Sequence, residues 1–296
     1  MRMPRVSAAR PRDSSRLRPP ARIIRDLCGL PARLGSIGSL EARLATTKKE
    51  IRRAQKLRYR VFFEEGGATP DPTARLIRRD VCPFDRVCDH LIVVDRDGLG
   101  KEEVVGVYRL LRQEAAEANF GFYSAGEFDI QPLLKRHPHK RFLELGRSCV
   151  AASHRNKPTL ELLWRGIWAY ARHHNIDAMF GCASLEGPDP KAHEPTLNFL
   201  NAAAAAGEEW NAMAARGRGF PMAARAAGEV SARMATRALP PLLRGYWRLG
   251  AKFGAEAVVD SKFGTTDVFV ILPVPDIEER YLAYFAPDRH KAQLAA

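Results

Sequence analysis

The sequence predicts an α+β domain with a mixed central sheet, and three observations carry that expectation. Apolar residues recur at helical spacing in several windows, short runs rich in Val, Ile, Leu and Phe lie between those windows, and the two kinds of segment are interleaved along the chain. With 296 residues, 46% of them apolar and 27% charged, there is enough chain to bury a proper core.

Residues 1–45 alternate Arg, Pro, Ser and Gly without a period, which predicts a basic, disordered arm, with the folded domain over 46–296. An Arg-rich, acid-poor start is also the composition of a transit peptide. Thr47 and Glu50 have the spacing of a capping box, and Ile51, Ala54, Leu57 and Val61 recur at helical spacing, so a helix is expected over about 47–64. LIVVD (91–95) and VVGVYRLL (104–111) read as neighbouring strands joined by a turn rich in Asp and Gly at 95–100. An aromatic-rich insertion at 120–134 carries Phe120, Phe122, Tyr123 and Phe128. Then come a strand at 142–150, a helix at about 159–174, a strand at 177–184 and a helix near 190–206. A basic region broken by Pro and Gly covers 207–240. Pro241 suits the first turn of a further helix, with Leu242, Tyr246, Leu249 and Phe253 on one side and Arg244, Arg248 and Lys252 on another. A strand at 265–274 is expected last, and no internal repeat is visible.

The formal charge is +13, and residues 1–45, with ten arginines and three acids, hold +7 of it, leaving +6 for the rest. Such a balance suits an acidic partner: nucleic acid, anionic lipid or an acidic carrier protein. Nucleic acid is disfavoured, because the chain has neither a groove-reading motif nor the aromatic-basic interleaving of an RNA-binding sheet. The five cysteines, Cys28, Cys82, Cys88, Cys149 and Cys182, form no CxxC pair and suggest reduced thiols in a cytoplasm. Scattered histidines without an HExxH array give no reason to expect a metal. The purest apolar run, VFVILPV at 268–274, is strand-length, well short of the ~20 residues of a membrane span.

The stretch FLELGRSCV (142–150) places an acid and an arginine on what should be a central strand, followed by the basic loop AASHRNKPT (151–159). Strict alternation sends Glu144, Gly146 and Ser148 to one face and Leu145, Arg147 and Cys149 to the other. The order of elements around this strand resembles that of the GNAT acyltransferases, which hold an acyl thioester at the splayed centre of the sheet and its phosphate at a helix N-terminus. Their loop reads R/Q-x-x-G-x-G/A; Arg155-Asn156-Lys157-Pro158-Thr159-Leu160 keeps the Arg and loses the glycines. Without glycine the backbone wraps a CoA pyrophosphate less closely, which favours a donor with one phosphate, the phosphopantetheine of acyl carrier protein.

Leu57-Arg58-Tyr59-Arg60-Val61-Phe62, Arg109-Leu110-Leu111 and Glu144-Leu145-Gly146-Arg147 resemble motifs of the acyl-homoserine-lactone synthases. Gly146 stands where those enzymes have Ser or Thr, no Trp follows the first helix, and about 80 further residues extend the chain. A near-continuous resemblance runs from Leu57 to about Phe285 with a sister family, the L-ornithine N-alpha-acyltransferases of bacterial ornithine-lipid synthesis. The matching stretches include FDRVCDHLIVVDRD (84–97), VVGVYRLLRQEAAE (104–117), GFYSAGEFDI (121–130), FLELGRSCV (142–150), ELLWRGIWAY (161–170), ALPPLLRGYWRLGA (238–251) and FGTTDVFVILPV (263–274). This resemblance implies transfer of a 3-hydroxyacyl group from acyl carrier protein to the alpha-amino group of L-ornithine, giving lyso-ornithine lipid, with no cofactor beyond the donor's phosphopantetheine. The alternatives are an autoinducer synthase and a CoA-dependent GNAT N-acyltransferase.

For such a reaction Glu144 is the candidate base, with pairing to Arg147 or Arg109 inside the sheet as its structural alternative. Backbone N–H groups near Cys149 and Val150 are the candidate oxyanion donors. Arg58, Arg109 and Arg147 are candidates for the acceptor's carboxylate and Asp80, Asp85 and Asp89 for its side-chain ammonium, about half of the six being expected as structural ion pairs. Arg155, Lys157 and Thr159 are the candidate contacts to phosphopantetheine, Arg155 and Lys157 being otherwise solvated loop charges. The Phe-rich insertion and the 242–253 helix are candidate walls for the acyl chain. The expected localisation is cytoplasmic, with peripheral contact at the inner face of an anionic membrane.

Overall fold

In the computed structural model, residues 29–96, 102–222 and 239–285 are described. Strands β1 (Gly35–Ile37), β2 (Leu40–Leu44), β3 (Asp89–Asp95), β4 (Glu103–Arg112), β5 (Phe142–Val150), β6 (Ala178–Glu186), β7 (Phe220–Pro221), β8 (Lys252–Asp260) and β9 (Thr265–Pro273) form one sheet in the order β1-β2-β3-β4-β5-β6-β9-β8-β7. Every neighbouring pair is antiparallel except β5 and β6, which are parallel and joined by the long helix Lys157–His173. The predicted mixed sheet is therefore present, with its one parallel junction beside the Glu144 strand.

The first helix, Lys48–Tyr59, starts at the expected capping box: Glu50 N–H donates to Thr47 Oγ1 at 3.2 Å and Thr47 N–H to Glu50 Oε2 at 2.9 Å. It runs on as a π-helical turn over Arg60–Glu65, where Gly66 N–H reaches back to Val61 O at 3.0 Å. β3 and β9 are apolar almost throughout because both of their faces are covered. Phe122, Phe128, Phe142, Phe180 and Phe269 are buried together, so Phe122 and Phe128 of the Phe-rich insertion serve as core rather than as an acyl-chain wall.

Three expectations need correction. The boundary at residue 45 cuts through the sheet: β2 pairs with β3 from Leu40↔Asp95 to Leu44↔Leu91, and Leu34, Leu40, Ala42 and Leu44 are buried. A five-residue strand is too short for a periodicity to show. The 242–253 helix stops at Arg248, and Lys252 begins β8, a strand that helical spacing masked by placing Phe253 on the same stripe. The chain also continues past β9 into the helix Glu279–Phe285. Residues 1–28, 97–101 around the tip of the 95–100 turn and 223–238 within the basic 207–240 region lie outside the described residues.

Candidate active site

Pairing between β5 and β6 ends at Glu144↔Phe180, while β6 stays paired with β9 as far as Glu186. Beyond Glu144 the two strands part, and a cavity of about 410 Å³ opens between them. Gly181 sits where they diverge: a Cβ there would lie 2.3 Å from the Leu145 carbonyl oxygen. Glu144, Gly146, Arg147 and Ser148 line the cavity from β5, and Cys182 and Ser184 from β6.

Strict alternation would put Arg147 on the far face from Glu144. The register explains why it lines the same cavity: Gly146 pairs with Arg109 and Cys149 with Val107, so two residues of β5 face one of β4, and Arg147 adopts φ 51°. This bulge, with a left-handed arginine, costs roughly 1–3 kcal/mol of backbone strain. In return it brings a cation and Glu144 to one space. Gly146 needs no smallness for packing, since a Cβ there would meet the Arg109 guanidinium at an ordinary 3.8 Å.

Glu144 is 3% exposed, and its carboxylate accepts the N–H groups of Tyr123 at 2.8 Å and Ser124 at 2.6 Å together with the Ser124 hydroxyl. It forms no ion pair with Arg109 or Arg147, so the pairing expected as its structural alternative is absent. Burial pushes its pKa above the ordinary carboxylate range, against the opposing pull of the Ser124 and Tyr123 hydrogen bonds. A carboxylate fixed in orientation and made more basic is suited to accept a proton.

Of the six residues expected at the acceptor's charged ends, Arg147 alone lines the cavity. Arg58 is fully buried; its Nε donates to Asp80 at 2.9 Å, and its Nη1 and Nη2 donate to Asp85 at 2.9 and 2.8 Å. Arg109 pairs with Asp85 at 3.5 Å and lies 5.0 Å from the Tyr123 ring centroid. Arg147 extends the network, with Nε 3.3 Å from Asp80 and Nη2 donating to the Tyr123 hydroxyl at 3.0 Å. Burial would raise the Asp85 pKa, but Arg58 outweighs it and holds that carboxyl well below its ordinary range. Arg58, Asp80, Asp85 and Arg109 thus form a buried scaffold behind Arg147. Asp89 belongs elsewhere, accepting the Tyr170 hydroxyl at 2.7 Å.

The donor loop is less open than expected. Asn156 caps the helix Lys157–His173 and takes both the N–H and the hydroxyl of Thr159, at 3.1 and 3.0 Å; Thr159 is itself fully buried. Asn156 N–H is spent on His154 O at 2.8 Å and Pro158 has none, so neither position offers an amide to a phosphate. Thr159 therefore drops out as a phosphate contact. Arg155 lines the cavity, pairs with Glu65 and donates from Nε to Val150 O at 3.2 Å.

Ala151 N–H bonds Val105 O at 2.8 Å, so by alternation the Cys149 N–H also faces β4 and the Val150 N–H faces the gap. Cys149 thus drops out as an oxyanion donor, and its buried thiol has a pKa pushed up to about 12.

Sequence reasoning missed a cluster of acids on the cavity wall: Glu127, Asp260 and Asp267, whose carboxylate oxygens lie within 4.8 Å of one another. The available signal was Asp267, a charge inside the otherwise apolar run TTDVFVILP.

A sheet that splays beside a basic loop and a helix N-terminus, with a buried carboxylate at the fork, defines a GNAT-type N-acyltransferase, and residues 57–165 match the acetyltransferase (GNAT) domain family. The L-ornithine N(alpha)-acyltransferase of Agrobacterium fabrum is 51% identical over 87% of this chain and 88% of its own length. The proteins of that name from Rhizobium meliloti and Brucella abortus are 50% and 47% identical, over 86% and 87% of this chain and 87% and 92% of their own lengths. The chain belongs to the L-ornithine N(alpha)-acyltransferase family.

Proposed function

We propose that the protein transfers a 3-hydroxyacyl group from acyl carrier protein to the alpha-amino group of L-ornithine, forming lyso-ornithine lipid. One observation carries this reading: Glu144 and Arg147 face one cavity at the fork of β5 and β6. Arg147 takes the carboxylate of the amino acid, and Glu144, directly or through a water, takes a proton from its alpha-ammonium. The freed nitrogen attacks the thioester carbonyl, the Val150 N–H stabilises the developing oxyanion, the C–S bond breaks, and the thiolate leaves and takes up the second proton that the acylated nitrogen sheds. A thiol of pKa about 8.5 needs no strong acid to depart. The donor loop presents Arg155 and Lys157 rather than a row of amides, which suits one phosphate on a small acidic carrier.

Among the described residues no helix is long and apolar enough to cross a membrane. The product is amphiphilic, and Leu76, 84% exposed beside Arg75, gives a surface for peripheral contact with anionic lipid on the cytoplasmic side. Leu76→Asp should weaken co-sedimentation with anionic vesicles. Purified protein given 3-hydroxyacyl carrier protein and ornithine should yield the alpha-N-acylated product by mass spectrometry. A lactone made from S-adenosylmethionine, or acetylation from acetyl-CoA outpacing transfer from carrier protein, would overturn the proposal.

A further inference from the structure

A cluster of three carboxylates in the cavity has no counter-cation among the described residues. Glu127 follows the turn that grips Glu144, Asp260 ends β8 and Asp267 lies on β9, 5% exposed. Among the described residues no Lys, Arg or His is within ion-pair distance of any of them, whereas Asp80 and Asp85 each have a guanidinium at 2.9 Å or less. Asp260 Oδ1 accepts the N–H groups of Lys262 and Phe263 at 2.8 and 3.2 Å, and Asp267 Oδ1 accepts the Thr265 hydroxyl at 2.7 Å. Glu127, beside the Cys182 thiol, keeps Oε2 sealed from solvent with no hydrogen bond at all. Burial and the repulsion of neighbouring acids push Glu127 and Asp267 above the ordinary carboxylate range, against the hydrogen bonds of Cys182 to Glu127 and of Thr265 and Ser184 to Asp267 and a weaker pull from Arg147. The site is short of one positive charge with hydrogens to donate.

We propose that Glu127, Asp260 and Asp267 form the pocket for the side-chain ammonium of the amino-acid acceptor and thereby select a diamino acid. The assignment rests on the ornithine reading above and deepens it. An ammonium brings three donors in tetrahedral array, which three carboxylate oxygens can take. A hard divalent cation, Mg²⁺ or Ca²⁺, is the rival occupant, but it asks for six or more oxygen ligands, and two of the oxygens here already serve backbone or hydroxyl donors. Arg147 on the same cavity completes the match: cation for the carboxylate, acids for the far ammonium, and Glu144 for the nitrogen that reacts.

The test compares ornithine with norvaline, the same carbon chain without the side-chain amine, as acceptors for wild type, Glu127→Gln and Asp260→Asn. The asparagine keeps an oxygen for the Lys262 and Phe263 amides, which protects the fold. Each variant should lose on the order of tenfold or more in kcat/KM for ornithine, mainly through KM, as expected for one charge-assisted bond. The wild-type preference for ornithine over norvaline should collapse. A parallel fall for both acceptors, or an unchanged ornithine KM, overturns the assignment. So does turnover that EDTA abolishes and a divalent metal restores in wild type but not in the variants. Calorimetric titration with ornithine separates the two readings: binding that depends on the three acids, without acyl transfer from any donor, removes the proposed reaction and leaves the pocket standing.

Discussion

The Ser124 N–H donates to Glu144 at 2.6 Å, and through this bond the turn after Phe122 holds the carboxylate at the fork of the sheet. Glu144→Gln would turn an amide NH₂ toward the Tyr123 or the Ser124 N–H, donor against donor, as well as remove the proton acceptor. Turnover should fall by roughly 10²-fold or more, with some loss of stability, about 1–3 kcal/mol for a buried group left unsatisfied. Steady-state rates at neutral pH and circular dichroism check this. Folded protein retaining more than about a tenth of wild-type turnover would remove Glu144 from the role of base.

Arg58 answers two buried carboxylates at once, so Arg58→Lys cannot replace its fork. The lysine leaves Asp80 or Asp85 without a partner, and breaking a buried pair typically costs about 3–5 kcal/mol. The urea midpoint should drop accordingly, and Arg147, which leans on Asp80, should lose its position, raising the ornithine KM. A stability change under about 1 kcal/mol would mean that the network is replaceable.

How much of this was legible follows from particular residues. The capping box at Thr47, the Glu144 strand and the helix after Asn156 stood in the sequence because local chemistry fixes them. Arg147 was named, but alternation assigned it the wrong face, since a bulge is set by the neighbouring strand and leaves no periodic trace. Arg58, Asp80, Asp85 and Arg109 were rightly grouped as opposite charges yet turned toward one another, a choice that depends on depth in the fold. The first two strands were lost in an Arg-rich background. Deletion of residues 1–45 should therefore give unfolded protein by circular dichroism, because it strips β2 from β3 and removes buried Leu40, Ala42 and Leu44. A cooperative thermal transition in the truncated chain would show that the sheet tolerates the loss.

His90 is fully buried, its Nε2 bonded to the Asp85 carbonyl at 3.0 Å, and burial lowers its pKa to about 4 despite the nearby Asp85 carboxylate. The unfolded chain titrates at the ordinary value near 6.5, so between these values the unfolded state binds more protons. The contribution is full above pH about 6.5 and is lost as pH falls toward 4. The acids with raised pKa values act in the opposite sense, so the His90 share is read as a difference. Between pH 8 and pH 5, wild type should lose on the order of 1–2 kcal/mol more than His90→Leu in urea unfolding. Equal pH slopes for the two proteins would mean that the fold does not lower the His90 pKa.

Lys157 and Arg155 differ in what surrounds them, and that separates docking from site architecture. Lys157 stands at the first turn of its helix with its ammonium 5.7 Å from the Tyr284 ring centroid, whereas Arg155 is bound to Glu65 and Val150 at the cavity edge. Lys157→Glu should therefore raise the KM for acyl carrier protein with kcat retained, by several-fold at an ionic strength of about 0.01 M, where charges act over ~30 Å, and far less at 0.15 M, where they act over ~8 Å. Arg155→Glu places two acids together at the rim and should lower kcat as well. A small acyl-pantetheine thioester, which has no acidic protein surface, should show little change in KM with Lys157→Glu. If that variant leaves the carrier-protein KM unchanged at low salt, Lys157 is an ordinary solvated charge and the acidic carrier docks elsewhere.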